Sequence, residues 1–98
     1  MEIRPAREED VEAVLPLVEK IAALHESWDE GRFGARPGVS DMYAGWLRSH
    51  CDSEESVFLV AEREGQVVAF LIATTEFNIP IYRVEQYGFI HDLWVEAA

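Results

Sequence analysis

Gly88-Phe89-Ile90-His91-Asp92-Leu93-Trp94-Val95 is the stretch that decides the fold, because it has the composition of a buried β-strand. Its apolar side chains are interrupted in the middle by two polar residues, His91 and Asp92. Neighbouring residues of a regular strand point to opposite faces, so we expect one of this pair on each face. Burying a polar group is costly unless it is satisfied. The pair therefore marks either a functional site or two side chains held by local hydrogen bonds.

The stretch before it contains the clearest local signal in the chain. Two apolar runs, 56–63 and 66–73, flank the dipeptide Glu64-Gly65, which predicts an antiparallel hairpin with a two-residue turn. The second run shows no alternation, so we expect a central strand covered on both faces. A short first strand, Met1 to Arg4, ends at Pro5.

Two helices are predicted between the first strand and the hairpin. The first opens at the charged residues 7–10, and Pro16 is expected to kink it without ending it. Ser40 is the predicted N-cap of the second helix, which runs to about Cys51, and His50 near its end is expected at the surface. The apolar face of the first helix is predicted at Val11, Val14, Leu15, Val18, Ile21 and Ala22.

The predicted order is β1-α1-α2-β2-β3-β4, in a single domain of residues 1–98. This is an α/β chain of the α+β kind, with helices packed on a mostly antiparallel sheet.

Composition excludes several classes of function. The formal net charge of −11 argues against a nucleic-acid partner, because phosphate binding requires clustered Lys and Arg, and it is compatible with a cationic substrate. No apolar run is long enough to cross a bilayer, and the start of the chain does not resemble a signal peptide. We therefore expect a cytoplasmic protein with no membrane partner. The three His residues and the single Cys51 lack the spacing of a zinc site, so no metal is predicted.

The segment from His25 to Val39 is predicted to be mostly loop, because it is rich in Gly and lacks a clear period. It combines acidic and aromatic side chains, a pairing that can hold a cationic amine. The alternative is a solvated loop anchored by one or two aromatic rings. The candidate substrate-binding residues are Glu26, Trp28, Asp29 and Glu30.

The order of elements and several short motifs resemble the GNAT superfamily of acyl-CoA-dependent N-acetyltransferases. Ile3-Arg4-Pro5-Ala6 is similar to the family's opening, and Val60-Ala61-Glu62 followed by Val67-Val68-Ala69-Phe70 is similar to its second and third strands. Ile90-His91-Asp92-Leu93-Trp94-Val95 is similar to its fourth strand, and is closest in kind to the diamine and polyamine acetyltransferase branch.

The resemblance implies transfer of an acetyl group from acetyl-CoA to a primary amine of a small molecule. By position, His91 and Asp92 would supply the catalytic base or proton relay, and the backbone of Leu93, Trp94 and Val95 would contact acetyl-CoA. The family's Arg/Gln-x-x-Gly-x-Gly/Ala loop, which binds the pyrophosphate, does not follow the last strand of this sequence. The chain therefore resembles a truncated, N-terminal half of such an enzyme, and we expect it to be inactive alone.

A second hypothesis is that the chain has the same half-fold but does not catalyse a reaction. In it, the chain is a binding module that associates through its fourth strand or binds a small ligand. An apolar last strand without a covering neighbour also predicts a homodimer, with the final strands meeting across a two-fold axis.

Overall fold

The computed structural model describes residues 1–29, 31 and 39–97. The described residues begin with a strand and a short 3-10 turn, continue through two helices, and end in three consecutive strands. The elements are β1 (Glu2–Pro5), the 3-10 turn (Glu8–Asp10), α1 (Val11–Trp28), α2 (Val39–Ser49), β2 (Ser56–Arg63), β3 (Gln66–Phe77) and β4 (Gln86–Val95).

The four strands form one antiparallel sheet in the order β1-β2-β3-β4. The predicted fold class is confirmed. The predicted hairpin joins β2 to β3 through Glu64 and Gly65, whose φ angles are +53° and +79°. Positive φ at both central residues matches the right-handed twist of the paired strands, and glycine adopts it without strain.

Both helices pack on one face of the sheet and form the core there. One row of this face is Val60, Phe70 and Trp94, which lie opposite one another on adjacent strands. Phe70 and Ile72 of β3 are almost fully buried, and Leu47 of α2 is fully buried against the same cluster. The helix α1 continues through Pro16, as its periodicity predicts, and contributes Val11, Val14, Leu17 and Val18 to the core.

A partly buried ion-pair network anchors the start of α1 to the sheet edge. The guanidinium of Arg4 on β1 donates to both carboxylate oxygens of Asp10, at 2.8 and 3.0 Å, and to Glu62 on β2 at 3.2 Å. Asp10 also accepts the backbone N–H of Arg7 at 2.8 Å. These bonds lower the pKa of Asp10 below its usual range.

The opposite face of the sheet is apolar and open, which corrects two predictions. It carries Ile3, Leu71, Leu93 and Val95, of which Leu71 is half-buried and the other three are exposed. β3 is therefore covered by helices on one face rather than on both. β4 is an edge strand with many exposed side chains, not a buried strand, because the described chain places no strand on its outer side.

The helix boundaries also differ from prediction. α1 extends to Trp28, into a segment predicted to be loop, and α2 ends at Ser49 rather than near Cys51. Among the described residues, no helix has the length and apolarity needed to span a membrane.

Candidate functional site

A β-bulge in β4 creates the candidate site. Asp92 lies opposite Ile72, whereas Ile90 lies opposite Ala73, so His91 is an extra residue between them. His91 contacts the ring of Trp46 with a centroid distance of 5.1 Å, and Asp92 accepts a hydrogen bond from the Tyr43 hydroxyl. Both contacts are made to α2. The regular alternation expected for this pair is therefore wrong, because a bulge turns two successive side chains towards one face.

His91 begins a chain of hydrogen bonds that ends at a carboxylate. Its Nε2 lies 2.7 Å from Thr74 Oγ1, and that hydroxyl donates to Glu76 Oε1 at 2.8 Å. A threonine hydroxyl has a single proton, and this one is used on Glu76. Thr74 must therefore accept from His91 Nε2–H. Neutral His91 is then the Nε2–H tautomer, and its Nδ1 keeps a free lone pair.

These hydrogen bonds orient the His91 ring as expected for a general base. Nε2–H is held by a hydroxyl that is itself polarised by Glu76, so a positive charge forming on the ring is stabilised through Thr74. Glu76 Oε1 lies 3.6 Å from His91 Nε2 and would pair with the protonated ring. The side chain of His91 is 28% exposed, so a small molecule can reach it.

A second histidine, which sequence reasoning placed at the surface, belongs to the same cluster. His50 is half-buried, its Nδ1 lies 2.5 Å from Ser56 Oγ, and its ring contacts Trp46 with a centroid distance of 4.7 Å. Burial lowers the pKa of His50, and the nearby His91 lowers it further. His50 is therefore mainly neutral at pH 7.

Asp92 is held by a partner of its own. The Tyr43 hydroxyl donates to Asp92, and burial together with this carboxylate raises the pKa of Tyr43. Tyr43 stays protonated and keeps Asp92 occupied. Asp92 thus fits the local-hydrogen-bond interpretation and positions α2 against β4, whereas His91 is free to act through Nδ1.

A cavity of about 210 Å³ opens beside these groups. Its walls come from α2, the start of β2, the end of β3 and the β4 bulge. The lining includes Trp46, His50, Ser56, Thr74, Glu76 and His91. Among the residues that the structure describes, no group of three or more His, Cys, Asp or Glu side chains is arranged to hold a metal ion.

The three residues predicted to contact acetyl-CoA do not share an environment. Leu93 and Val95 are exposed on the open face, and Trp94 packs against the core on the helix face. The indole Nε1–H of Trp94 is buried and has no hydrogen-bond partner in the described part of the chain. A buried donor without a partner is costly to the folded state.

The predicted substrate-binding residues lie at the end of α1. Glu26 and Trp28 are exposed, as is Asp29, which directly follows the helix. The ring of Trp28 lies 5.3 Å from that of His25. Within the described ranges, neither Glu26 nor Trp28 contacts His91 or Asp92. Glu30 lies outside the described residues.

Comparison with known proteins gives the fold. No protein-family model matches the chain, and a search of curated proteins finds no match. A mutant of the protein BH1408 from Bacillus halodurans superposes with a TM-score of 0.80 at 21% identity, over 98% of this chain and 62% of that chain. An aminoglycoside antibiotic 6'-N-acetyltransferase from Acinetobacter haemolyticus gives 0.68 at 18% identity, over 98% and 57%. A GCN5-related N-acetyltransferase from Ralstonia eutropha gives 0.63 at 19% identity, over 97% and 61%.

These structural neighbours include GNAT acetyltransferases, and the chain shares their α+β fold. It spans 62% of the length of the BH1408 chain. At these identities the likeness concerns the fold, so activity has to be argued from the site.

Proposed function

We propose that the chain carries the amine-activating part of a GNAT-type acetyltransferase, which transfers acetyl from acetyl-CoA to a primary amine of a small molecule. The observation that carries the proposal is the array of Glu76, Thr74 and His91, which leaves a lone pair on His91 Nδ1. The shared fold supports the same class of reaction.

His91 would remove the proton that keeps the amine unreactive. A primary alkylamine is protonated at neutral pH, since its pKa is about 10.4, and an ammonium group cannot act as a nucleophile. Nδ1 accepts this proton, and the imidazolium that results is stabilised by Thr74 and Glu76 through Nε2–H. Positioned general bases of this kind contribute roughly 10²- to 10⁴-fold to the rate.

The end of β4 fits a role in contacting acetyl-CoA. When bound, acetyl-CoA supplies the thioester carbonyl that the amine attacks, with the thiol as leaving group. Leu93, Trp94 and Val95 would offer the backbone groups on the outer edge of β4, which is not paired with a strand in the described chain. An N–H aimed at the developing oxyanion contributes about 3 kcal/mol.

The acidic and aromatic residues at the end of α1 would attract the amine before it reaches His91. Glu26, Asp29 and the sequence-predicted Glu30 supply negative charge there, and Trp28 supplies a ring. The net charge of −11 favours approach of a cation over longer distances. These residues would therefore affect amine binding more than acetyl-CoA binding.

The superposition covers 98% of this chain and 62% of the BH1408 chain, so the proposal concerns the residues that hold the base and the amine.

The decisive test changes the carboxylate that ends the array. Glu76→Gln keeps an acceptor for Thr74 and removes the charge, so kcat for acetyl transfer should fall. Hydrogen bonds to charged groups are worth about 1.5–3 kcal/mol, so we expect a loss of roughly 10- to 100-fold. The matched control is Glu12→Gln on the exposed face of α1, which should leave kcat unchanged. Equal rates for both variants would remove Glu76 from the mechanism.

An exposed apolar segment favours a second candidate, a module that works by self-association. Residues 77–90 extend beyond β2 and expose large side chains, among them Phe77 at 73% and Ile81 at 78%. The segment contains one Arg and one Glu, so it carries no net charge in a chain of −11, and two copies can meet there with little repulsion. Exposed apolar patches of this kind mark association sites. We therefore propose a homodimer through the end of β3 and the start of β4, with or without catalysis.

A further inference from the structure

We propose that Ser56 and His50 form a nucleophile–base pair that takes the acyl group from a small ester and passes it to water. This esterase activity goes beyond the proposed acetyl transfer, because it uses the other histidine of the cavity and needs neither acetyl-CoA nor an amine. Three observations carry it: a hydroxyl–imidazole contact, the access of that contact to the cavity, and the different use of a second hydroxyl beside it.

Two hydroxyl–imidazole pairs lie side by side on the helix face of the sheet. Ser56 of β2 is the register partner of Thr74 of β3, so their side chains are neighbours on that face. Ser56 Oγ lies 2.5 Å from His50 Nδ1, and Thr74 Oγ1 lies 2.7 Å from His91 Nε2. The ring of Trp46 contacts both imidazoles. All of these residues line the same cavity.

The two hydroxyls differ in where their single protons go. Thr74 donates its proton to Glu76 at 2.8 Å, which leaves that hydroxyl only as an acceptor for His91. Among the described residues, Ser56 Oγ bonds to no carboxylate, and its side-chain contact is with His50 Nδ1. The proton of Ser56 can therefore pass to Nδ1, as activation of a serine nucleophile requires.

His50 has the protonation state and the position of a base. Burial lowers the pKa of His50, so the ring is neutral at pH 7, and its Nε2–H tautomer has a lone pair on Nδ1. The contact with Trp46, at a centroid distance of 4.7 Å, holds the ring in place. Ser56 and His50 are both half-buried, and the cavity of about 210 Å³ beside them admits a short acyl group.

The reaction proceeds through an acyl group on Ser56. Ser56 Oγ attacks the ester carbonyl, its proton moves to His50 Nδ1, and the bond from the carbonyl carbon to the leaving oxygen breaks. His50 gives the proton to that oxygen, so the alcohol departs and the acyl group stays on Ser56. Water then attacks the acyl carbon and gives a proton to Nδ1, which passes it to Ser56 Oγ as the carboxylic acid is released. Ester and water are the only reactants.

The second half of this reaction should be the slower one. The backbone N–H of Ser56 is bonded to the carbonyl of Ser53 at 3.3 Å, so it does not stabilise a developing oxyanion. An ester with a good leaving group, such as p-nitrophenyl acetate, compensates for this during acylation but not during deacylation. The acetyl group is therefore expected to accumulate on Ser56.

The test treats the 98-residue chain with p-nitrophenyl acetate in the absence of acetyl-CoA and amines. We expect a burst of about one equivalent of p-nitrophenolate per chain, and peptide mapping by mass spectrometry should locate the acetyl group on Ser56. Ser56→Ala should abolish the burst, and His50→Gln should slow it by roughly 10²- to 10⁴-fold. The matched control is Ser53→Ala, which should leave the burst unchanged, because Ser53 lines the same cavity but bonds to no imidazole.

The competing nucleophiles define the results that would overturn the proposal. Absence of a burst, or acetyl groups only on Lys20 or the N-terminal amine, would exclude a reactive Ser56. A burst that His50→Gln removes and Ser56→Ala leaves unchanged would show attack by the imidazole itself. Mapping of the wild-type chain decides the site of acylation even if a variant does not fold. None of these results bears on acetyl transfer by His91, because Ser56 is not part of the array that orients it.

Discussion

Replacing Thr74 by Val tests the hydrogen-bond array that orients His91. Valine keeps the shape of the side chain and its preference for strands, and it removes the hydroxyl that joins His91 Nε2 to Glu76. The Nε2–H tautomer of His91 then loses the acceptor that favours it. We expect the neutral ring to shift towards the Nδ1–H tautomer, which has no lone pair on the atom assigned as the base.

The size of this shift follows from the bond that is lost. An intramolecular hydrogen bond contributes about 0.5–1.5 kcal/mol, and Glu76 polarises the hydroxyl and so places this one in the upper half of that range. Each 1.4 kcal/mol is a factor of about ten, so the ratio of Nε2–H to Nδ1–H should fall roughly five- to tenfold. Water can replace part of the bond, because the His91 side chain is 28% exposed.

Nitrogen-15 NMR of the imidazole ring measures the tautomer directly. The wild-type chain above the pKa of the ring should show a protonated Nε2 and an unprotonated Nδ1, and Thr74→Val should show averaged shifts. Thr75→Val removes the adjacent hydroxyl, which does not bond to His91, and serves as the control. A wild-type ring protonated mainly on Nδ1, or a ratio that Thr74→Val leaves unchanged, would refute the array.

Three further predictions concern stability and assembly. Glu64→Asn should stabilise the fold by roughly 0.5–1 kcal/mol in urea unfolding, because asparagine tolerates the positive φ of +53° at the turn better than glutamate does; a loss of stability would contradict the turn assignment. Arg4 lowers the pKa of Asp10 in the folded chain, so this pair stabilises the fold above the unfolded pKa of about 3.9 and loses that contribution as the pH falls through the lower, folded pKa. Asp10→Asn should flatten that acid dependence, and an unchanged pH profile would show that the pair contributes nothing. Light scattering at micromolar concentration should give twice the chain mass, and Ile81→Glu should shift the chain towards monomer; a wild-type monomer would exclude the proposed dimer.

The sequence predicts the parts of this fold that depend on local patterns. Apolar residues that repeat with the helical period of 3.6 locate the helices, and continuous apolar runs locate the strands. The dipeptide Glu64-Gly65 locates the tight turn. The position of His91 on the last strand also identifies it as a site residue candidate. The length of α1 was underestimated, because its last turn, ending at Trp28, lacks the apolar periodicity of the preceding ones.

The remainder of the site depends on register, which the sequence does not reveal. The bulge at His91 comes from a one-residue mismatch between β3 and β4, and it reverses the expected direction of one side chain. Thr74 is 17 residues from His91, and the contact between Trp46 and His91 spans a still longer separation. His50 lies near the C-terminal end of α2, so the sequence places it at the surface. It is half-buried in the structure because α2 packs on the sheet.

The central claim is that His91 removes the proton from the acceptor amine. The most direct test is the pH dependence of kcat/KM for acetyl transfer from acetyl-CoA to a primary alkylamine, compared between the wild-type protein and His91→Gln. The account predicts a loss of about 10²- to 10⁴-fold near pH 7 that becomes smaller towards the amine pKa of about 10.4, where solvent supplies the free amine. A wild-type rate for His91→Gln across this range would contradict it.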